Sequence, residues 1–242
     1  MIGQGTWGGL GAGLALGLAS AASAQHVPWY PGEEVKISAG LEAVRDWSRS
    51  HLTTNLMKQG RAWGSPTDPW EGQANIVLDA NGWPTQDAGV ILVCCQPNNQ
   101  GLEGVYQISF ECSTLPEIRL IATLGTIQNV SRDPNTGIVT AEYVWPQNWE
   151  QLMLGFFGTD PDGPGGLPGG IRNLKVIRPG ADESDPWDPL FREHVSRFDM
   201  LRFMDTNIIN GSTISQWSER TQQNDPSWRI KTGVPYEDAI QL

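Results

Sequence analysis

Punctuation limits the fold of this chain more than any other feature. Between residues 52 and 180 no apolar run is long, and each is closed by a turn signal. Candidate strands read as 74–80, 89–95, 104–112, 117–124, 126–131, 138–145, 152–159 and 171–178. In 104–112, Tyr106, Ile108, Phe110 and Cys112 alternate with Val105, Gln107, Ser109 and Glu111, the two-residue period of a strand with one buried face. Asn81-Gly82, residues 97–101 and Asp133-Pro134-Asn135-Thr136-Gly137 are the turns, the last a strong hairpin signal. The 28 Gly and 17 Pro leave little room for long helices. About eight short strands at this spacing predict a mainly β domain, a β-sandwich or jelly roll. The Gly/Pro-rich stretch 158–170 reads as a solvated loop, because Asp160 and Asp162 are too few ligands for calcium.

After Pro179-Gly180 the pattern changes. Ser184 is placed to cap a short helix whose apolar stripe is Trp187, Phe191, Val195 and Phe198. Residues 200–204, Met-Leu-Arg-Phe-Met, read as a strand buried on both faces, as in parallel sheets. A polar loop follows, and a helix starts at Pro235. Helix, strand, loop and helix over 181–242 spell the truncated start of a (β/α)8 barrel, which needs about 250 residues.

Residues 1–24 carry no charge and end in Ala22-Ser23-Ala24, an A-x-A-like cleavage site. They read as a signal peptide for export, although the usual basic start is missing; an anchor or a Gly-rich tail is the alternative. Residues 25–51 are then a lead-in. Gly3-Gln4-Gly5-Thr6-Trp7-Gly8 matches G-x-G-x-x-G but follows no strand and is no nucleotide loop. A net charge of −11 argues against a nucleic-acid partner and against docking on anionic membranes. No later apolar run is long enough to span a membrane. Cys94 and Cys95, adjacent on a strand, would point to opposite faces; either could bridge to Cys112, or all three could be buried thiols. The Asn129 and Asn210 sequons matter only in a host that glycosylates.

Several strings occur together: NLMKQGR at 55–61 with Trp63-Gly64, DANGWP at 79–84, IRPG at 177–180, LRFMD at 201–205, WSER at 217–220 and GVPYE at 233–237. In this order they resemble a family of secreted bacterial and algal proteins, over residues 52–242. The resemblance implies a jelly-roll, carbohydrate-binding-like domain over 52–180 and the start of a glycoside-hydrolase-like barrel over 181–242. It places the family's Asn-Glu acid/base pair on a later barrel strand, beyond Leu242, so no catalytic residue is carried over. It also departs locally, with Thr206 where the family has an aromatic.

Within that frame the candidate substrate-binding residues are Arg202, Asp205, Asn207, Trp217, Arg220 and Trp228. Glycoside hydrolysis needs two flanking carboxylates, and Asp199, Asp205, Glu219, Glu237 and Asp238 are the acids available. Asp205 sits at the C-terminal end of the predicted strand, where barrel sites form, or else pairs with Arg202 or Arg220. Arg202, inside an apolar strand, needs a partner. Glu237 and Asp238 fall in a first helical turn, which favours acids on its own. Trp is abundant at 11 copies, and its flat ring stacks on the apolar face of a pyranose. Trp217 and Trp228 lie on the loop after the strand; Trp63, Trp70 and Trp83 lie in sandwich loops. No G-x-S-x-G, H-E-x-x-H or P-loop occurs. His194 sits beside the helical stripe, and neither metal nor cofactor is expected. These readings predict an exported, extracellular or periplasmic protein whose partner is a polysaccharide. A non-enzymatic adhesion module and a structural matrix protein are the alternatives.

Overall fold

A computed structural model describes residues 36–48, 52–95, 101–160 and 169–242. The expected signal peptide, His26, His51, the turn at 97–100 and Asp162 lie outside the described residues. The elements run β1 (Ser38–Gly40), β2 (Ala88–Val93), β3 (Gly104–Glu111), β4 (Glu117–Leu120), β5 (Thr126–Arg132), β6 (Ile138–Trp145), β7 (Leu152–Phe157), β8 (Arg172–Ile177), α1 (Pro189–Val195), β9 (Met200–Arg202) and α2 (Tyr236–Ile240).

The protein is mainly β. One antiparallel sheet has the order β2-β7-β4 and a second the order β5-β6-β3-β8. The alternation read in β3 is the one observed: Tyr106, Ile108 and Phe110 point inward and Glu111 outward. Its partner β6 buries Val139, Ala141, Tyr143 and Trp145 on the same side, Ile108 lying opposite Ala141. Val90, Leu92, Leu154 and Phe156 of the other sheet close a single shared core, the arrangement of a β-sandwich. Phe110 and Phe156 meet edge to face across the layers at 5.2 Å. Each such fully buried side chain contributes roughly 1.5–3 kcal/mol. β2 is buried on both faces, since Ile91 packs with Cys94 and Met153 on its outer side.

Four expectations change. Residues 74–80 are no strand: Gly72 turns at φ 73° into a 3-10 turn at Gln73–Asn75, and only Leu78 bridges to Pro84. Val77 and Leu78 stay exposed, with no sheet neighbour to cover them. Cys94 and Cys95 are bonded to each other, and Cys112 is a buried free thiol, so no bridge to Cys112 forms. The chain has left the extended conformation there, with Cys95 at φ 58°, so the two side chains do not diverge. Asp188, not Ser184, caps α1, accepting from the Leu190 and Phe191 amides, with Pro189 in the first turn. Finally, 200–204 is not a buried strand. Only Met200–Arg202 is extended, and Met200 and Arg202 are exposed. Its pairing is parallel, as expected, but the partner is β1, from the segment read as a lead-in.

Around this short pair a second aromatic core forms. Trp187 is wholly buried; it stacks on Phe191 at 5.4 Å and meets Trp228 at 5.7 Å and Phe203 at 6.3 Å. Leu41, Val44 and Val234 complete the cluster. Among the described residues no helix is long and apolar enough to cross a membrane.

Candidate functional site

The long loop between β9 and α2 contains little regular structure, so side chains hold it. Glu219 accepts from the Ser215 and Gln216 amides at 2.9 and 3.0 Å and closes a capping box over the 3-10 turn Trp217–Glu219. Those donors, Ser215 first, hold the Glu219 carboxyl below its ordinary range. Thr221 and Thr232 share hydroxyl and amide bonds of 3.0–3.2 Å, pinning the middle of the loop to its C-terminal part. Asn207 is buried and accepts from the Val234 amide at 3.2 Å. Gly233, at φ 87°, fits between them because a Cβ there would fall 1.7 Å from the Thr206 carbonyl oxygen.

This bracket creates a cleft of about 330 Å³. Asn207, Trp217, Arg220, Thr221, Thr232 and Tyr236 line it. Trp217 and Tyr236 lie parallel, 8° apart with centroids at 5.5 Å, and Trp217 remains 69% exposed. The Arg220 carbon Cζ sits 4.1 Å over the Trp217 ring. Arg220 is only 7% exposed and forms an ion pair with Glu237, while its Nε and Nη1 have no hydrogen-bond partner. The site is therefore an exposed, stacked aromatic pair beside a buried cation and hydroxyl-bearing walls. Among the described residues that line it there is no Asp or Glu. Glu219 is occupied by its cap, so the cleft has no pair of acids for hydrolysis.

Of the six sequence candidates, the structure brings Asn207, Trp217 and Arg220 together. Asp205 pairs with neither Arg202 nor Arg220; it is exposed at the rim of a different cleft, beside Arg45, Trp47 and Arg229. Arg202 is on the surface, its Nη2 2.9 Å from the Met204 sulfur, so it needs no buried partner. Trp228 is fully buried, its amide bonded to the Lys58 carbonyl at 2.8 Å, and it serves packing. His194 is exposed. Trp63 and Trp83 belong to the sandwich core, and of the three tryptophans read in sandwich loops Trp70 is the exposed one. Tyr236 was missed, because at the start of a helix nothing marked its ring as facing Trp217.

A larger cleft of about 600 Å³ passes Asn55, Lys58, Asp185 and Asp238. Lys58 donates to the carbonyls of Gln223 and Asp225 at 2.8 and 2.7 Å, and burial pushes its ammonium down to about 8. Burial also raises Asp238, against a hydrogen bond from Gln223 and the charge of Lys58. These groups tie loop to 3-10 turn. No protein-family model, no curated protein and no solved structure matches the chain.

Proposed function

We propose that this is an exported glycan-binding protein, and that the Trp217–Tyr236 platform is where it holds sugar. The observation that carries the reading is the parallel, solvent-exposed aromatic pair beside a buried guanidinium. Pyranose rings offer an apolar C–H face to such a platform and hydroxyls to the polar groups around it. The cleft volume lies within the usual range for small-molecule sites. The family resemblance points to the same substrate class. In this reading the sandwich is a jelly-roll, carbohydrate-binding-like domain, and 181–242 is the opening of a glycoside-hydrolase-like barrel. The parallel β1–β9 pair with α1 just before it supports the second part. The role assigned to these residues is binding rather than hydrolysis, because no acid lines the cleft. A non-enzymatic adhesion module is the alternative.

Calorimetric titration of the whole chain with a panel of neutral and acidic polysaccharides tests this. At least one should bind, and Trp217→Ala should weaken it about tenfold or more, the loss of a central aromatic contact. Binding by none of the panel, or binding indifferent to both Trp217→Ala and Tyr236→Ala, overturns the proposal.

A further inference from the structure

We infer that the face exposing Trp47 and Trp70 is a second ligand site, one that takes the carboxylate or sulfate groups of an acidic polysaccharide. The polymer class rests on the glycan-binding proposal; the charge preference rests on this face alone.

Three guanidiniums surround one indole. The Cζ atoms of Arg229, Arg61 and Arg45 lie 4.4, 5.0 and 5.2 Å from the Trp47 ring centroid, and Arg61 also lies 4.2 Å from that of Trp70. Cations and rings thus alternate as Arg229, Trp47, Arg61, Trp70. Both indoles are substantially exposed. A single carboxylate serves this group: Asp46, fully buried, pairs with Arg61 at 2.9 Å and with Arg229. A guanidinium has five N–H donors, so this sharing leaves most of them open. Arg45 is exposed, and among the described residues no carboxylate pairs with it. Burial lowers Arg229, and the neighbouring like charge of Arg45 lowers it further.

The adjoining cleft of about 480 Å³ adds the matching neutral chemistry. Arg45, Trp47, Arg229, Asp205 and Asn210 all line it. Arginine recognises carboxylate and sulfate with paired N–H bonds, and Asp205 and Asn210 can accept hydroxyl protons. At physiological salt the Debye length is about 8 Å, so the −11 net charge does not cancel a local cationic face.

The test titrates the whole chain, by tryptophan fluorescence and calorimetry, with dextran, dextran sulfate, sodium sulfate and a single-stranded oligothymidylate. Dextran sulfate should bind, and more weakly as NaCl rises. Arg45→Gln should lower its affinity about tenfold or more, and Arg45→Lys should restore part of it. Arg45 is exposed, so an unchanged Tm for its variants separates lost binding from lost folding. Wild-type affinity in Arg45→Gln overturns the inference. So does oligothymidylate binding as tight as dextran sulfate, or sodium sulfate competing as well as the polymer at equal sulfate concentration. If neutral polysaccharides fail while dextran sulfate is held through Arg45, the Trp217 site falls and this one stands.

Discussion

The sandwich and the region around Trp187 both bury tryptophan, but they satisfy their backbones by different means. In the sandwich, β3 is laddered to β6 on one side and β8 on the other, so the amides and carbonyls of its core strands pair with one another. Around Trp187 the regular elements are short: a three-residue parallel pair and helices of seven and five residues. Side chains take over there. The Trp187 indole donates to the Asp238 carbonyl at 2.9 Å, Thr206 donates to Leu41 at 3.0 Å, and Ser227 donates to Gly60 at 2.6 Å. A ladder fixes residues in rows and turns half of them inward. Side-chain brackets fix a loop at a few points and leave the residues between them free to face solvent. Trp217 and Arg45, the exposed groups at the two proposed sites, belong to the bracketed region, where loops on a rigid scaffold commonly carry function.

The strongest way to break this comparison is Trp187→Ala. The indole meets three other aromatic rings and supplies one buried bond, so its removal should cost about 3–5 kcal/mol. Urea denaturation would measure the total, and hydrogen exchange its location. Amides of residues 187–242 should lose protection well before those of β3 and β6. Equal loss in both would make the molecule one cooperative unit.

A smaller effect sharpens the join. Lys58, in the 3-10 turn Leu56–Gln59, is pushed from 10.5 to about 8, first by burial, with Asp238 and Asp225 opposing. Below pH 8 both folded and unfolded chains carry its proton, and the folded state bears the full cost. Between pH 8 and 10.5 the unfolded chain binds more protons, so stability should rise with pH, by about 3 kcal/mol for the whole window. Tm measured against pH should show that rise in the wild type and not in Lys58→Met. Tyr106, pushed up to about 12 by burial, titrates with the opposite sign and is common to both proteins. A wild-type curve that falls from pH 8 in step with the variant would mean that water reaches Lys58 freely.

Legibility in the sequence follows the same division. β6 appears at the residues read for it, because strict alternation and a hairpin turn are local signals. β9 was read as longer and buried. Its partner, Ser38–Gly40, is a Ser-Ala-Gly stretch with no apolar signature, more than 150 residues away, and the two cover each other only at Ala39–Leu201. Asn207, Trp217 and Arg220 could be nominated by residue type on one loop, but their assembly around Tyr236 depends on the Thr221–Thr232 bracket and on Gly233. The guanidinium ladder left no local trace at all. Arg45 and Trp47 are near neighbours, whereas Arg61 and Arg229 arrive from distant segments through the buried Asp46.

The smallest effect concerns charge in the sandwich. Some ion pairs in the bracketed region are drawn inward: Arg178 lies 2.8 Å from Asp188 with both side chains nearly covered, and Asp46 is wholly covered, whereas Arg197–Glu193 stays exposed. In the sandwich, Glu117 of edge strand β4 meets Arg119 at 2.6 Å with both side chains half exposed. The Arg119 hydrogen bond holds the Glu117 carboxyl below its usual range, and for an acid that sign means support present at neutral pH and lost as pH falls. Water and salt screen a pair placed there, and ordering two long side chains offsets what attraction remains. Glu117→Gln should therefore leave Tm at pH 7 within about 1 °C of wild type, with or without 0.5 M NaCl, by scanning calorimetry. A loss of several degrees that added salt abolishes would show that edge electrostatics supports the sandwich as well as its ladder, and the contrast in how the two regions use charge would be lost.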